Sequence, residues 1–365
     1  MKIFASISLV LAVSALPLTA QETDEQSASA TVGAVVKLKQ SPKPARINIL
    51  SSAGKNAFSY ESPEGPKNEQ LKNCDSFLMI TPKDLVSALS DYNGNHLSAA
   101  RSKFDKVKTK YAAMIGLPNN AAARAANLEL DCAIRMLDWP AVKNLSEHFR
   151  GKGDLGAGMT NRLEVAKLLG LLSADDFSDG IIERAASLLE EKNKLSLEEL
   201  GWLNYALGRA YEAKIPTAEL EAGELTEPSL AAAGQAVDAY CTAMVATYGG
   251  KVELPIDASA RAAEILSSMP GVKAALAKIG QRRDSLSLRS LPAAMKEAAA
   301  LAYVHLHFLN PNSKNEKLAA FASYHVGRKV TPQQSGDANE NARQPGLDKR
   351  QSTQQQSAQQ AAKSK

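Results

Sequence analysis

From Pro82 onward the apolar positions recur at helical spacing. Leu97, Ala100, Phe104, Val107 and Tyr111 step 3-4-3-4, which places them on one stripe of a helix. Thr81 is placed to cap a preceding helix with Pro82 at its first position. Asn93-Gly94-Asn95 separates the two helices, so the unit reads as a helical hairpin. The pattern recurs over residues 120–137 with 140–150, broken at Asp138-Trp139-Pro140, and over 160–172 with 175–192. Further pairs are predicted over 196–213 with 229–248, 257–269 with 271–280, and 292–309 with 314–327. In the fourth pair Val237, Tyr240, Cys241, Met244, Val245 and Tyr248 form a wide apolar face, with Leu200, Leu203, Leu207 and Ala210 as the facing stripe.

Upstream the period shortens. Arg46–Leu50 and Ala57–Tyr60 alternate polar and apolar, and Phe77–Ile80 is a third short apolar run. Gly/Pro-rich turns separate them, which predicts a small antiparallel meander of three strands over 46–81. Roughly 35 residues cannot bury much surface alone, so this unit should pack on the helices. Residues 21–45 read as a polar leader, in which Val35–Leu38 is the one stretch with strand character. The first 20 residues have a basic start, a short apolar run and Leu16-Pro17-Leu18-Thr19-Ala20 before a polar region. That pattern predicts a secretory signal cleaved after Ala20, and the run is shorter than the roughly 20 residues a membrane-spanning helix needs. The expected address is periplasmic or secreted. From Thr331 to Lys365 glutamines sit among Ser, Ala, Asn and Lys with almost no bulky apolar residue, which predicts a disordered Gln-rich tail. The helical domain is thus expected over 82–330.

Several successive hairpins suggest a stacked array. Leu207-Gly208-Arg209-Ala210-Tyr211, followed by Ala236, Tyr240 and Ala243, resembles the tetratricopeptide repeat. In that motif glycine and alanines let two helices cross closely while aromatics fill the space beside them. The chain departs from it at Asn204, where tryptophan is usual. No proline closes the unit near Tyr248, and Ile215–Leu230 is inserted where a tight turn is expected. Tyr92, Gly94, Ala100 and Phe104 match more loosely, and Trp139 stands in for a turn aromatic. The resemblance covers about residues 83–280. It implies a mainly α fold, a helical-hairpin α-solenoid behind the β-meander, and protein–protein binding along a groove without chemistry of its own. The polar residues of the first helices of successive pairs, Asn127, Arg135, Asn204 and Arg209, are the candidate partner contacts.

Composition adds limits. The 365 residues carry 43 basic and 39 acidic side chains, and a net charge of +4 spread along the chain does not point to nucleic acid. No catalytic, cofactor or metal constellation is expected. His305 and His307 are two apart, which on a helix turns them about 200° from each other, away from a shared metal. Gly151–Gly156 is glycine-rich but ends in no Lys-Ser/Thr, and no Gly-x-Ser-x-Gly elbow occurs. Asp175-Asp176 suits a helix start. The one Glu-Ser pair, Glu61-Ser62, sits in a turn before Pro63, unlike the catalytic pair of helical transglycosylases. Arg282-Arg283 and Lys349-Arg350 are short basic clusters that read as solvated surface. Cys74, Cys132 and Cys241 read as small hydrophobes, with a Cys74–Cys132 bridge left open by an exported setting. The expected function is a non-catalytic scaffold that binds another envelope or secreted protein. The alternative is a glycan-binding or hydrolytic envelope protein using the array as a frame.

Overall fold

A computed structural model describes residues 30–53, 56–149, 158–174, 177–190, 194–247, 253–272, 275 and 293–326. The expected signal segment, the Gln-rich residues from Thr331, Gly151–Gly156, Asp175-Asp176, Tyr248, both basic clusters and most of 271–280 lie outside these residues.

The fold is mainly helical, with a five-stranded antiparallel sheet at its N-terminal end. The strands are β1 (Val32–Leu38), β2 (Ala45–Ser52), β3 (Ala57–Ser62), β4 (Gly65–Gln70) and β5 (Cys74–Met79). Their order across the sheet is β4-β3-β2-β1-β5. The three predicted strands are therefore joined by two more. β1 arises within the stretch read as a polar leader and pairs with both β2 and β5. It alternates Val32, Ala34 and Val36 inward, and that face forms one core with Ile49, Phe58 and Met79. β4 has no apolar alternation and is held to β3 by backbone pairing at the sheet's edge.

The sheet is strongly curled. Phe58 on β3 and Phe77 on β5 lie with ring centroids 5.0 Å apart, although β2 and β1 stand between their strands. Three strand spacings of a flat sheet would hold them roughly 14 Å apart. A single 3-10 turn, Leu71–Asn73, links edge strand β4 to edge strand β5, so both edges are drawn together into an open barrel.

Twelve α-helices follow among the described residues. They are α1 (Lys83–Asn93), α2 (Leu97–Lys110), α3 (Ala121–Arg135), α4 (Trp139–Glu147), α5 (Gly158–Gly170), α6 (Ser178–Glu190), α7 (Leu197–Glu212), α8 (Thr217–Ala222), α9 (Glu227–Thr247), α10 (Glu253–Ser267), α11 (Ala293–Val304) and α12 (Glu316–Val326). A five-residue π-helical turn, His305–Leu309, extends α11. Local signals set most boundaries. Asn120 accepts from Ala123 N–H at 2.7 Å to start α3, and Ser196 and Glu199 form a reciprocal capping box on α7. Pro82 is itself the N-cap of α1, so Thr81 does not cap that helix. Leu137 adopts φ 55° and turns the chain from α3 into α4, so the break precedes Trp139, which belongs to α4. The insertion at 215–230 contains α8, closed by Gly223 at φ 68° and by the Glu219 carboxylate, which accepts from Thr226 N–H at 2.9 Å.

Three cores run through the described residues. The barrel shares the first with α1, α2 and one side of α3. The opposite side of α3 (Leu130, Ala133, Ile134) joins the second core, which continues through α4–α7 and α9 to α10. The third holds the C-terminal end of α10 with α11 and α12. The expected stripe on α2 is buried at Ala100, Phe104, Val107 and Tyr111.

Helices α7 and α9 cross closely and run antiparallel. Gly201 meets Thr247, and Gly208 meets Tyr240. A Cβ at Gly208 would stand 2.6 Å from two ring carbons of Tyr240. Leu207 and Tyr240 belong to the same core. The face of α9 differs from the one expected. It buries Ala232, Ala236, Ala239, Tyr240 and Ala243, while Val245 is 70% exposed. Close approach over two glycines selects the small side chains, because the bulkier Val/Met side would hold the helices apart.

Candidate functional site

The four candidate contacts do not converge on one site. Arg135 is buried: its guanidinium lies 4.8 Å from the centroid of the Tyr92 ring, and Nη2 donates to Asn95 Oδ1 at 2.7 Å. Asn127 is half-buried, and its Oδ1 is shielded from solvent with no donor bonded to it among the described residues. Asn204 donates to the Leu200 carbonyl of its own helix at 2.8 Å. Arg209 is half-buried, with Nε 3.9 Å from Glu212. Arg135 thus acts inside the fold, and the other three lie along α3 and α7.

Two polar clusters that sequence reasoning missed connect these helices. In the first, the Asp131 carboxylate on α3 accepts from Tyr92 Oη at 2.5 Å and from Arg162 Nη2 of α5 at 2.8 Å. Arg162 also reaches Glu198 of α7 at 2.9 Å and lies over the Trp202 ring, 4.3 Å from its centroid. Burial raises the Asp131 pKa against the pull of Arg162, and burial followed by the Asp131 charge raises that of Tyr92. In the second, Tyr205 donates to Asp257 of α10 at 2.6 Å, and Tyr240 donates to Glu212. Arg261 stands between the two carboxylates, with Nε 2.6 Å from Asp257 and Nη1 3.1 Å from Glu212. Burial opposes the charge on Arg261, but Glu212 and Asp257 outweigh it and hold the guanidinium protonated. The Tyr205 and Tyr240 hydroxyls are pushed up by burial and by the carboxylates they serve. Tyr205 bridges the aromatic side, with Trp139 at 5.6 Å and Tyr240 at 6.0 Å between ring centroids.

The only local signal for these clusters is charge inside apolar helices. Asp131 and Arg135, and Asp257 and Arg261, stand four apart on one helix face. Their decisive partners are 31 to 52 residues away, which no local pattern reveals.

Other candidate chemistry is dispersed. His305 is buried and His307 exposed, on opposite sides of their helical turn. All three cysteines carry free thiols, so the Cys74–Cys132 bridge is not formed. Both tryptophans are buried, so neither offers a face to a sugar ring. A cleft of about 350 Å³ between α8, the end of α10 and α12 has Leu220 and Phe321 in its lining, with Glu221 and Lys317 beside them. None of the four candidate contacts lines it. No helix among the described residues is long and apolar enough to cross a membrane. Comparison with known proteins returned no match: no family model, curated protein or solved structure is similar to this chain.

Proposed function

We propose that this chain is an exported, non-catalytic scaffold whose helical hairpins stack as a solenoid and hold another envelope or secreted protein along the face of α3, α5, α7 and α10. One observation carries the reading. The polar side chains of these helices form a strip linked from helix to helix: Asp131 to Arg162, Arg162 to Glu198, and Glu212 to Arg261. Asn204 and Arg209 lie on the same helix as Glu198 and Glu212, half-buried rather than sealed. The cations of the strip already have carboxylate partners, so its exposed edge at Glu198, Glu212 and Arg261 offers a polar surface without excess positive charge. Such a surface suits a protein segment better than a polyanion.

The test places a photo-reactive residue at Arg209 in the full chain, with Glu183 on α6 as control. The reading expects one protein to be captured from position 209 and not from 183. The same purified partner should then lose at least tenfold in affinity to Asn204→Ala/Arg209→Ala. Equal capture from both positions, or unchanged affinity, refutes it. Sequencing of the mature chain from its producing cell should begin at Gln21. An intact Met1 would overturn the exported part.

A further inference from the structure

The α11–α12 pair closes on α10 through a small core of its own, built on residues such as Leu266, Met295, Ala298, Leu318 and Phe321. One ionisable side chain is sealed into that seam. His305 is 3% exposed and opens the π-helical turn, which is closed by the Asn310 N–H donating to the His305 carbonyl at 2.7 Å. Turns of this kind are rare and often mark functional positions. Across the seam stands Ser259 of α10, 1% exposed. Its Oγ lies 2.8 Å from His305 Nδ1 and 2.8 Å from the Ile256 carbonyl. A carbonyl only accepts, so the serine proton goes to Ile256 and the serine oxygen accepts from Nδ1–H. This assigns the Nδ1–H tautomer from the partners. Nε2 is then the bare nitrogen, and among the described residues no acceptor is bonded to it. A second proton there would place a cation at a position sealed from solvent, against the apolar side chains of the seam.

We propose that His305 is an acid-sensitive latch: as a neutral imidazole it holds the α11–α12 pair against α10, and protonation at Nε2 drives the pair off. The surroundings favour this. α10 carries Glu253, Asp257, Arg261 and Glu264; α11 and its turn carry Lys296, Glu297, Tyr303 and His307; α12 carries Glu316, Lys317, Tyr324 and His325. Of these, Asp257 is the group whose charge acts on the imidazole, and it is already engaged by Tyr205 and Arg261. Burial outweighs both the hydrogen bond to the Ile256 carbonyl and the Asp257 charge, and lowers the His305 pKa. The unfolded chain therefore takes up the proton first. The stability is present above the unfolded value of about 6.5 and is lost as pH falls from there through the folded value. His307 and His325 flank the Tyr303 ring at 4.1 and 5.0 Å between centroids, and both are exposed, outside the sealed seam.

The latch concerns local stability and stands or falls independently of the groove. Amide exchange of the full chain at about pH 7.5 and about pH 5, corrected for intrinsic rates, tests it. Protection over 293–326 should fall by roughly tenfold or more, while α7 and α9 keep theirs. His305→Gln and His305→Phe, which cannot titrate, should abolish the fall. Unchanged protection in the wild type overturns the proposal. So does an equal fall across α7 and α9, or a fall that persists in either variant. Should both variants already open the pair at the higher pH, the wild-type profile decides: a fall confined to 293–326 supports the latch, and its absence refutes it.

Discussion

Two helix glycines should respond in opposite directions to the same substitution. A methyl group at Gly208 would stand 2.6 Å from Cδ1 and Cε1 of Tyr240 and 3.0 Å from Cγ. Ordinary carbon contacts lie at about 3.5–4.0 Å, so the shortfall is roughly 1 Å. The ring cannot easily yield. Tyr240 is fully buried, its hydroxyl is held by Glu212, and Tyr205 packs against it. Overpacking of this kind costs about 1–3 kcal/mol, against a helix-propensity gain of about 0.5–1 kcal/mol from Gly→Ala. The near-rigid ring puts the cost toward the upper part of that range, so Gly208→Ala should lose on the order of 1 kcal/mol or more net, up to about 2.5 kcal/mol. Gly234, within α9, has no atom within 4 Å of an added Cβ. There the propensity term acts alone, and Gly234→Ala should gain about 0.5–1 kcal/mol. Urea unfolding followed by tryptophan fluorescence reads both, because Trp139 and Trp202 lie in the core that contains this crossing. A Gly208→Ala protein as stable as the wild type would show that α7 and α9 do not cross as closely as described.

Further expectations concern the polar clusters and the thiols. Arg162→Met strands the buried Asp131 carboxylate and should cost about 3 kcal/mol; adding Asp131→Leu should recover part of this in denaturant melts, and strict additivity would dismiss the pairing. Tyr92, Tyr205 and Tyr240 all have raised folded pKa values, so their neutral forms are favoured in the folded state. Above the unfolded tyrosine value of about 10, the unfolded chain releases protons first, so stability should fall as pH rises. Tyr205→Phe/Tyr240→Phe should flatten that fall, as read from unfolding midpoints along an alkaline series. Burial, with the Asp131 charge beside it, pushes the Cys132 thiol up to about 12. Alkylation with mass spectrometric readout should therefore find Cys132 modified last, and only as the protein unfolds. Its labelling ahead of Cys74 would contradict the burial described for α3.

The helices were legible because an amphipathic stripe repeats the physics of burial every three or four residues. Ala100, Phe104 and Val107 are readable in this way, and so are the approximate starts of α3 and α7 near residues 120 and 196. β4 was not, since Gly65–Gln70 is a polar edge strand whose register comes from β3 rather than from its own side chains. β1 was only half legible because Gly33 and Ala34 weaken its strand character before the Val35–Leu38 run. On α9, hydrophobicity pointed to Met244 and Val245, whereas the distance between helices favoured alanine. Asn127, Arg135, Asn204 and Arg209 were chosen for polarity on first helices. The linked residues Asp131, Arg162, Glu212 and Arg261 escaped, because long-range pairing leaves no periodic trace.

Helix α3 is shared by two cores, and this bears on how the protein can be divided. A fragment cut just after it would expose Leu130, Ala133 and Ile134, and one cut just before it would leave the barrel and α2 without a wall. Neither half is self-sufficient, so insertions, truncations or proteolytic nicks around residues 118–138 should be poorly tolerated. Natural length variation should instead collect at sites where no helix serves two neighbours.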